Sequence, residues 1–320
     1  MAVLWCILAA LIVIYLGFTF FLFYISCWRF NMGPRLSRFI GGNGKQGPDW
    51  DAPDQVAAIQ KGRVWLAGHA SENIYIKSFD GLKLKAAFYE NPDAKGILVA
   101  CHGFRSRGDS DFAAVCPYYY GLGFSLLLID QRACGDSEGK FVTYGVHERR
   151  DVQDWCRLMA ERYPGMPILL GGISLGGATV LMASDDLPDE VKVILADCGF
   201  SSPWQQLEFI GKRTVNIPIA PVLWGVDLWC RLLAHFGLKQ WSVQQALANN
   251  TRPICFIHGE RDNLVSHSCT VANMAACAAP TALLSVPDAG HGMSYLRDTQ
   301  GYYRVVGGFL DRYFFPADMS

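Results

Sequence analysis

Between Ile168 and Ala183 an apolar run of strand type passes through Gly171-Gly172-Ile173-Ser174-Leu175-Gly176-Gly177 and continues at once as a run with helical character, Ala178–Ala183. The pattern Gly172-x-Ser174-x-Gly176 at such a junction constrains the chain more than any other stretch. A serine at so tight a turn has its hydroxyl pushed out above the sheet edge on a strained backbone. Side chains two residues to either side would collide there, so both positions call for glycine. The helix that follows aims its unpaired N–H groups at the same spot. Ser174 is therefore the candidate nucleophile, and the N–H of Leu175 a candidate donor to a developing oxyanion. The plainer reading, a strand-to-helix turn with a buried serine, is weighed against the partners found elsewhere.

The rest of the chain alternates around this stretch. Asn73–Phe79 and Leu82–Tyr89 alternate apolar and polar residues about the turn signal Asp80-Gly81, which predicts an antiparallel hairpin. Gly96–Cys101, Ser125–Ile129, Ile168–Ile173, Val191–Ala196, Ile254–Ile257 and Ala282–Val286 are continuous apolar runs, as buried parallel strands are. Helical stretches are expected near 54–66, 145–163, 266–278 and 301–314. Val152, Trp155, Leu158 and Met159 share one face of the second, which Pro164-Gly165 stop. Strands alternating with helices imply an α/β fold: a mostly parallel eight-stranded sheet with helices on both faces. Ligands in such sheets bind beyond the C-terminal strand ends.

Pro203–Asn250 interrupts the alternation. It is rich in Trp, Leu and Pro, with helical character at 222–236, too long for a simple crossover and too apolar for a disordered loop. A helical cap inserted over the site is the natural reading.

Val3–Ile25 carries no charged residue, and as a helix its 23 residues span ~35 Å, enough for a hydrocarbon core with some tilt. A cleaved signal peptide wants a basic start, a shorter apolar core and a small-residue cleavage site; a lipoprotein box before Cys27 is met only in part. Residues 1–28 are accordingly read as one transmembrane signal anchor. Residues 29–53, rich in Gly, Pro and Asn, are read as a linker, and 54–320 as the α/β domain. Arg29, Arg35, Arg38 and Lys45 follow the span, so the positive-inside tendency places that domain in the cytoplasm, with Tyr24 and Trp28 at the interface. The 11 cysteines form no C-x-x-C and no zinc spacing, and several fall inside strand-like runs; buried free thiols agree with a reducing compartment. A formal net charge of −1 leaves no basic footprint for nucleic acid. No metal or organic cofactor is implied.

A serine hydroxyl is a poor nucleophile unless a base lies within reach and a carboxylate orients that base. Of 7 histidines, His291 sits after the last strand in a glycine-flanked loop and is the candidate base. His102 and His258 each precede glycine at a strand end and are read as supports of loop backbone; His69, His147, His235 and His267 are read as surface or ordinary polar residues. Asp262, after the penultimate strand, is the candidate carboxylate; Asp197, one strand earlier, is its rival, and Asp288 reads as a turn residue. A second oxyanion donor is expected after the third strand, where the N–H of Phe104 in His102-Gly103-Phe104 would point inward.

Across residues 70–315 the chain resembles the α/β-hydrolase superfamily, in particular its membrane-anchored serine esterases and S33-like peptidases. The resemblance rests on His102-Gly103-Phe104, Asp130-Gln131-Arg132-Ala133-Cys134-Gly135-Asp136-Ser137, Gly172-Ile173-Ser174-Leu175-Gly176-Gly177, Asp262 and Gly290-His291-Gly292. The loop Asp130–Ser137 is similar to the family's D-x-R-G-x-G-x-S turn, with Ala133 where glycine is usual. The resemblance implies the α/β-hydrolase fold and a serine hydrolase acting through an acyl-enzyme on a carboxylic ester or thioester. The apolar cap and the membrane tether point to a small-molecule substrate with an apolar acyl group. Amide or peptide cleavage by the same three residues is the first alternative. A membrane-bound scaffold that has lost the chemistry is the second.

Overall fold

The structure is a computed structural model that describes residues 1–30, 53–214 and 218–315. Helix α1 (Ala2–Cys27) comes first, and α2 (Pro53–Ala67) opens the body. Strands β1 (Glu72–Lys77), β2 (Lys83–Tyr89) and β3 (Gly96–Cys101) follow. Two short helices, α3 (Gly108–Asp111) and α4 (Cys116–Gly121), lead to β4 (Phe124–Ile129). Then come α5 (Glu148–Arg162), β5 (Ile168–Ile173), α6 (Leu175–Ala183) and β6 (Val191–Asp197). Between β6 and β7 (Ile254–Gly259) stand α7 (Pro203–Thr214), α8 (Ile219–Leu233) and α9 (Val243–Leu247). The chain closes with α10 (His267–Ala276), β8 (Thr281–Val286), α11 (Ser294–Arg297), α12 (Thr299–Tyr302) and α13 (Gly308–Tyr313).

The eight strands form one sheet in the order β1-β2-β4-β3-β5-β6-β7-β8. Only β2 runs against its neighbours, pairing antiparallel with β1 and with β4; the other pairings are parallel. The two faces of β3 show why its run is continuously apolar. Ile97, Val99 and Cys101 pack with Val152, Trp155 and Met159 of α5, while Leu98 and Ala100 join Phe112, Tyr119, Leu310 and Phe314 on the other side. Residues of period two serve two cores, so no position can be polar.

One expectation is refined. The last helix, read as one from Gly301 to Phe314, is broken by a π turn at Tyr303–Gly307, where the Gly307-Gly308 pair weakens the regular ladder. The stretch between β3 and β4 holds α3 and α4, which no helical period announces because each is too short to show one.

The N-terminal helix is long and apolar enough to cross a membrane, and residues 1–15 are all exposed. Its second half packs on α8. Tyr15 Oη donates to the Pro221 carbonyl at 2.7 Å, Trp229 Nε1 donates to Thr19 Oγ1 at 3.2 Å, and the sulfurs of Cys27 and Cys230 lie 3.8 Å apart. Gly225 allows the approach: a Cβ there would lie 2.5 Å from Thr19 Cγ2. Most of the stretch read as a linker falls on residues 31–52, outside the described residues. Its start is fastened to the body. Trp28 bridges Phe141, Val142 N–H donates to the Cys27 carbonyl at 2.8 Å, and Arg29 reaches the carbonyls of Ser137 and Gly135 at 2.6 and 2.7 Å.

Candidate active site

Ser174 stands between β5 and α6 at φ 57° and ψ −116°, a conformation that few L-residues adopt. The neighbouring glycines are obligatory on steric grounds. A Cβ on Gly172 would sit 2.2 Å from the Gly176 carbonyl oxygen, and one on Gly176 would sit 1.9 Å from that of Cys101. The turn is held from β6, where the Asp197 backbone carbonyl accepts the Ser174 N–H at 2.8 Å.

His291 reaches Ser174 from the loop after β8. Its Nε2 lies 2.7 Å from Ser174 Oγ and its Nδ1 lies 2.7 Å from Asp262 Oδ2. The carboxylate can only accept from Nδ1–H, so in the neutral ring Nε2 is left to accept the serine proton. Asp262 sits after β7 and is itself anchored: Oδ1 accepts the N–H groups of Leu264 and Val265 at 2.8 and 2.9 Å. Three residues separated by up to 117 positions thus form one hydrogen-bonded chain, buried throughout.

Burial works against a charged His291, yet the Asp262 carboxylate, by its charge and its hydrogen bond, outweighs burial and holds the imidazole above its ordinary value of 6.5. Burial likewise works against an ionised Asp262, but the two histidines facing it, together with their hydrogen bonds, keep it well below the usual carboxylate range. Asp197, the rival acid, also lies beside the site. It makes no hydrogen bond to His291: its Oδ1 has no partner among the described residues, and burial pushes its carboxyl up to about 6. Asp288 pairs with Arg261 at the surface.

The loop after β3 is braced from several sides. His102, fully buried, accepts the Gln131 N–H at Nε2 (3.0 Å), which leaves Nδ1–H to donate to the Gly103 carbonyl (2.7 Å). Asp111 holds the same loop, accepting from Gly103 N–H at 2.6 Å and from the Ser106 hydroxyl. The Phe104 N–H has no acceptor among the described residues, and Leu175 is the first residue of α6, so both candidate oxyanion donors are uncommitted where they border the cavity at Ser174.

Two residues of this site escaped the sequence reading. Asp111 lies in a short helix without a pattern. His258, read as a loop support, instead places Nε2 3.1 Å from Asp262 Oδ2 and 3.2 Å from the Val265 carbonyl, with Nδ1 2.7 Å from Thr270 Oγ1. Nothing in the sequence signals that contact, because a spacing of four marks a shared face only in a helix and His258 stands at the end of β7. His147 meets Phe79 edge-on, His69 lies over Trp65 with the rings tilted by 30°, and His267 meets Ser285, as ordinary polar and packing residues do.

Cys198, Asp262 and His291 bring one ligand atom each within 4.8 Å of one another. Both nitrogens of His291 are already engaged by Asp262 and Ser174, so these atoms serve a hydrogen-bond chain rather than an ion. Above Ser174 opens a cavity of about 930 Å³, whose lining is apolar apart from a few groups such as Asp111, Arg105, Asp197 and Gln206.

A family model described as serine aminopeptidase, S33, matches residues 92–218. The chain is 25% identical over 238 residues to the uncharacterized protein YqkD of Bacillus subtilis (strain 168), covering 74% of this chain and 78% of that one. It is 23% identical over 254 residues to the alpha/beta hydrolase domain-containing protein WAV2 of Arabidopsis thaliana, covering 76% and 79%. Among solved structures the esterase Pf2001 of Pyrococcus furiosus has a TM-score of 0.64 at 20% identity, over 77% of this chain and 92% of that chain. At that identity the structural likeness carries the fold alone.

Proposed function

The chain is a member of the α/β-hydrolase superfamily, and on that footing we propose that it is a serine hydrolase cleaving a carboxylic ester or thioester with an apolar acyl group. The observation that carries this reading is the pair of 2.7 Å contacts that link Ser174 Oγ, His291 and Asp262. Ser174 Oγ attacks the acyl carbon while its proton passes to His291 Nε2. The imidazolium so formed is stabilised by Asp262, which stays ionised. The negative charge moves onto the carbonyl oxygen, where the N–H groups of Phe104 and Leu175 receive it. Collapse of the tetrahedral species breaks the bond to the alcohol or thiol, which takes the proton from Nε2. Water then repeats the sequence on the acyl-enzyme and releases the acid.

The apolar cavity supports an acyl substrate. The family model's peptidase description favours amide cleavage as the second reading. Against it, an aminopeptidase needs a fixed anion for the substrate amine. The acids of the insertion are spent elsewhere, Glu208 on Lys212 and Asp227 on Arg231 and the Leu238 N–H. A fluorophosphonate probe is expected to label the protein and Ser174→Ala to abolish labelling; labelling that survives the substitution would refute the assignment. Matched ester and amide substrates separate the two readings.

A further inference from the structure

The cavity over Ser174 is walled on one side by the N-terminal helix itself. Phe18, Phe21, Leu22 and Ile25 of α1 line it, at the spacing of one helix face. Phe18 and Phe21 are at the same time 45% and 56% exposed, so the cavity reaches the surface along α1. The facing wall is α8, through Ile219, Val222, Leu223 and Val226. Helix α8 has a second apolar face. Trp224, Leu228 and Leu232, spaced by four, look outward, Trp224 with 62% of its surface exposed. Helix α8 packs on α1, the helix with the length to cross a bilayer, so the pair together presents an exposed apolar surface. Where α1 ends, Tyr24 packs against Trp28, Arg29 follows, and Arg105 donates to the Trp28 carbonyl at 2.5 Å. Aromatic rings and cations of this kind mark a membrane–water boundary.

We propose that α8 lies in the membrane beside α1, that the cavity between them opens to the hydrocarbon, and that the substrate is a lipid-borne ester whose acyl chain slides from the bilayer into this cavity. The carbonyl end then meets Ser174 at the polar end of the cavity, near Arg105 and Asp111. The chain passes from one apolar medium to another and never meets water, which avoids the cost of exposing its apolar surface to water that a water-borne route would impose. The chemistry rests on the serine-esterase reading above; substrate class and route are what is added.

The test uses the full chain in phosphatidylcholine nanodiscs, with p-nitrophenyl acetate and dodecanoate as probes and rates expressed per fluorophosphonate-titrated site. The ratio of kcat/KM for dodecanoate over acetate is expected to exceed about ten. Ile25→Trp, which fills the cavity from α1, is expected to lower that ratio about tenfold. Trp224→Glu with Leu228→Glu, outside the cavity, is expected to lower it about fivefold by lifting α8 from the bilayer. A wild-type ratio near or below one, or variants that keep the wild-type ratio, would overturn the proposal, as would an intact mass showing α1 removed. If neither ester is turned over and no label is taken up, the serine-esterase reading fails instead.

Discussion

His258 and Asp262 meet four residues apart in sequence: Nε2 of the histidine lies 3.1 Å from Oδ2, the same carboxylate oxygen that His291 approaches at 2.7 Å. With Nε2 facing two acceptors, Asp262 and the Val265 carbonyl, His258 carries its proton there and leaves Nδ1 to accept from Thr270. It is a positioning residue. His258→Leu is expected to cost about 1.5–3 kcal/mol of stability, the usual worth of a hydrogen bond to a buried charge. Asp262 is held below the ordinary range, so its contribution to stability is present above the unfolded carboxylate value and lost as pH falls through the folded one. Without His258 that loss sets in at higher pH, which unfolding titrations between acid and neutral pH would read.

The pH–rate profile carries a second expectation. His291 must be neutral to take the serine proton, and Asp262 holds its pKa above 6.5, so kcat/KM falls on the acid side with a midpoint above that value. Asp262→Asn removes the charge; the acid limb moves to lower pH and kcat falls by about ten-thousandfold. Asp197→Asn also removes a negative charge facing His291, and so shifts the limb in the same direction, but with a far smaller loss of rate because Asp197 does not bond the ring. A larger loss for Asp197→Asn than for Asp262→Asn would exchange their roles.

Arg132 is buried and held by two carboxylates. Its Nε and Nη2 meet Asp151 at 2.6 and 2.7 Å, and Nη1 meets Asp80 at 2.9 Å. Arg132→Ala would strand Asp151 without its cation, and is expected to destabilise by about 3–5 kcal/mol in denaturant unfolding.

In the same loop Ala133 adopts φ 59°, where the resembling motif carries glycine. A left-handed alanine costs about 1–2 kcal/mol, and the added freedom of an unfolded glycine returns about 0.4–1 of that. Ala133→Gly is therefore expected to raise stability by up to about 1.6 kcal/mol in thermal unfolding.

At the contact of α1 with α8, Gly225→Val places a methyl group where Thr19 already stands. It is expected to cost about 1–3 kcal/mol through overpacking and to expose α1 to limited proteolysis in detergent.

Much of this molecule was legible because its signals are local. The parallel strands are mostly apolar runs, and Ser174, Asp262 and His291 lie in the segments that follow β5, β7 and β8. The steric need for Gly172 and Gly176 is likewise a property of five residues, and their clashes with backbone atoms in the structure have the same cause. The pairing of His258 with Asp262 was not legible. A spacing of four means a shared face only in a helix, and here the chain turns after β7 to bring the two together.

The sequence alone determined an alternating sheet, a turn that sets Ser174 at the end of β5, and an apolar N-terminal helix, since near-neighbour sterics and hydrophobic runs dictate each of these. Only the tertiary structure decided that this helix leans on α8 and walls the cavity over Ser174. A helix apolar on every side carries no stripe to say which face will pack, so its partner emerges only when segments some 200 residues apart fit together, as Tyr15 does with Pro221, 206 positions on.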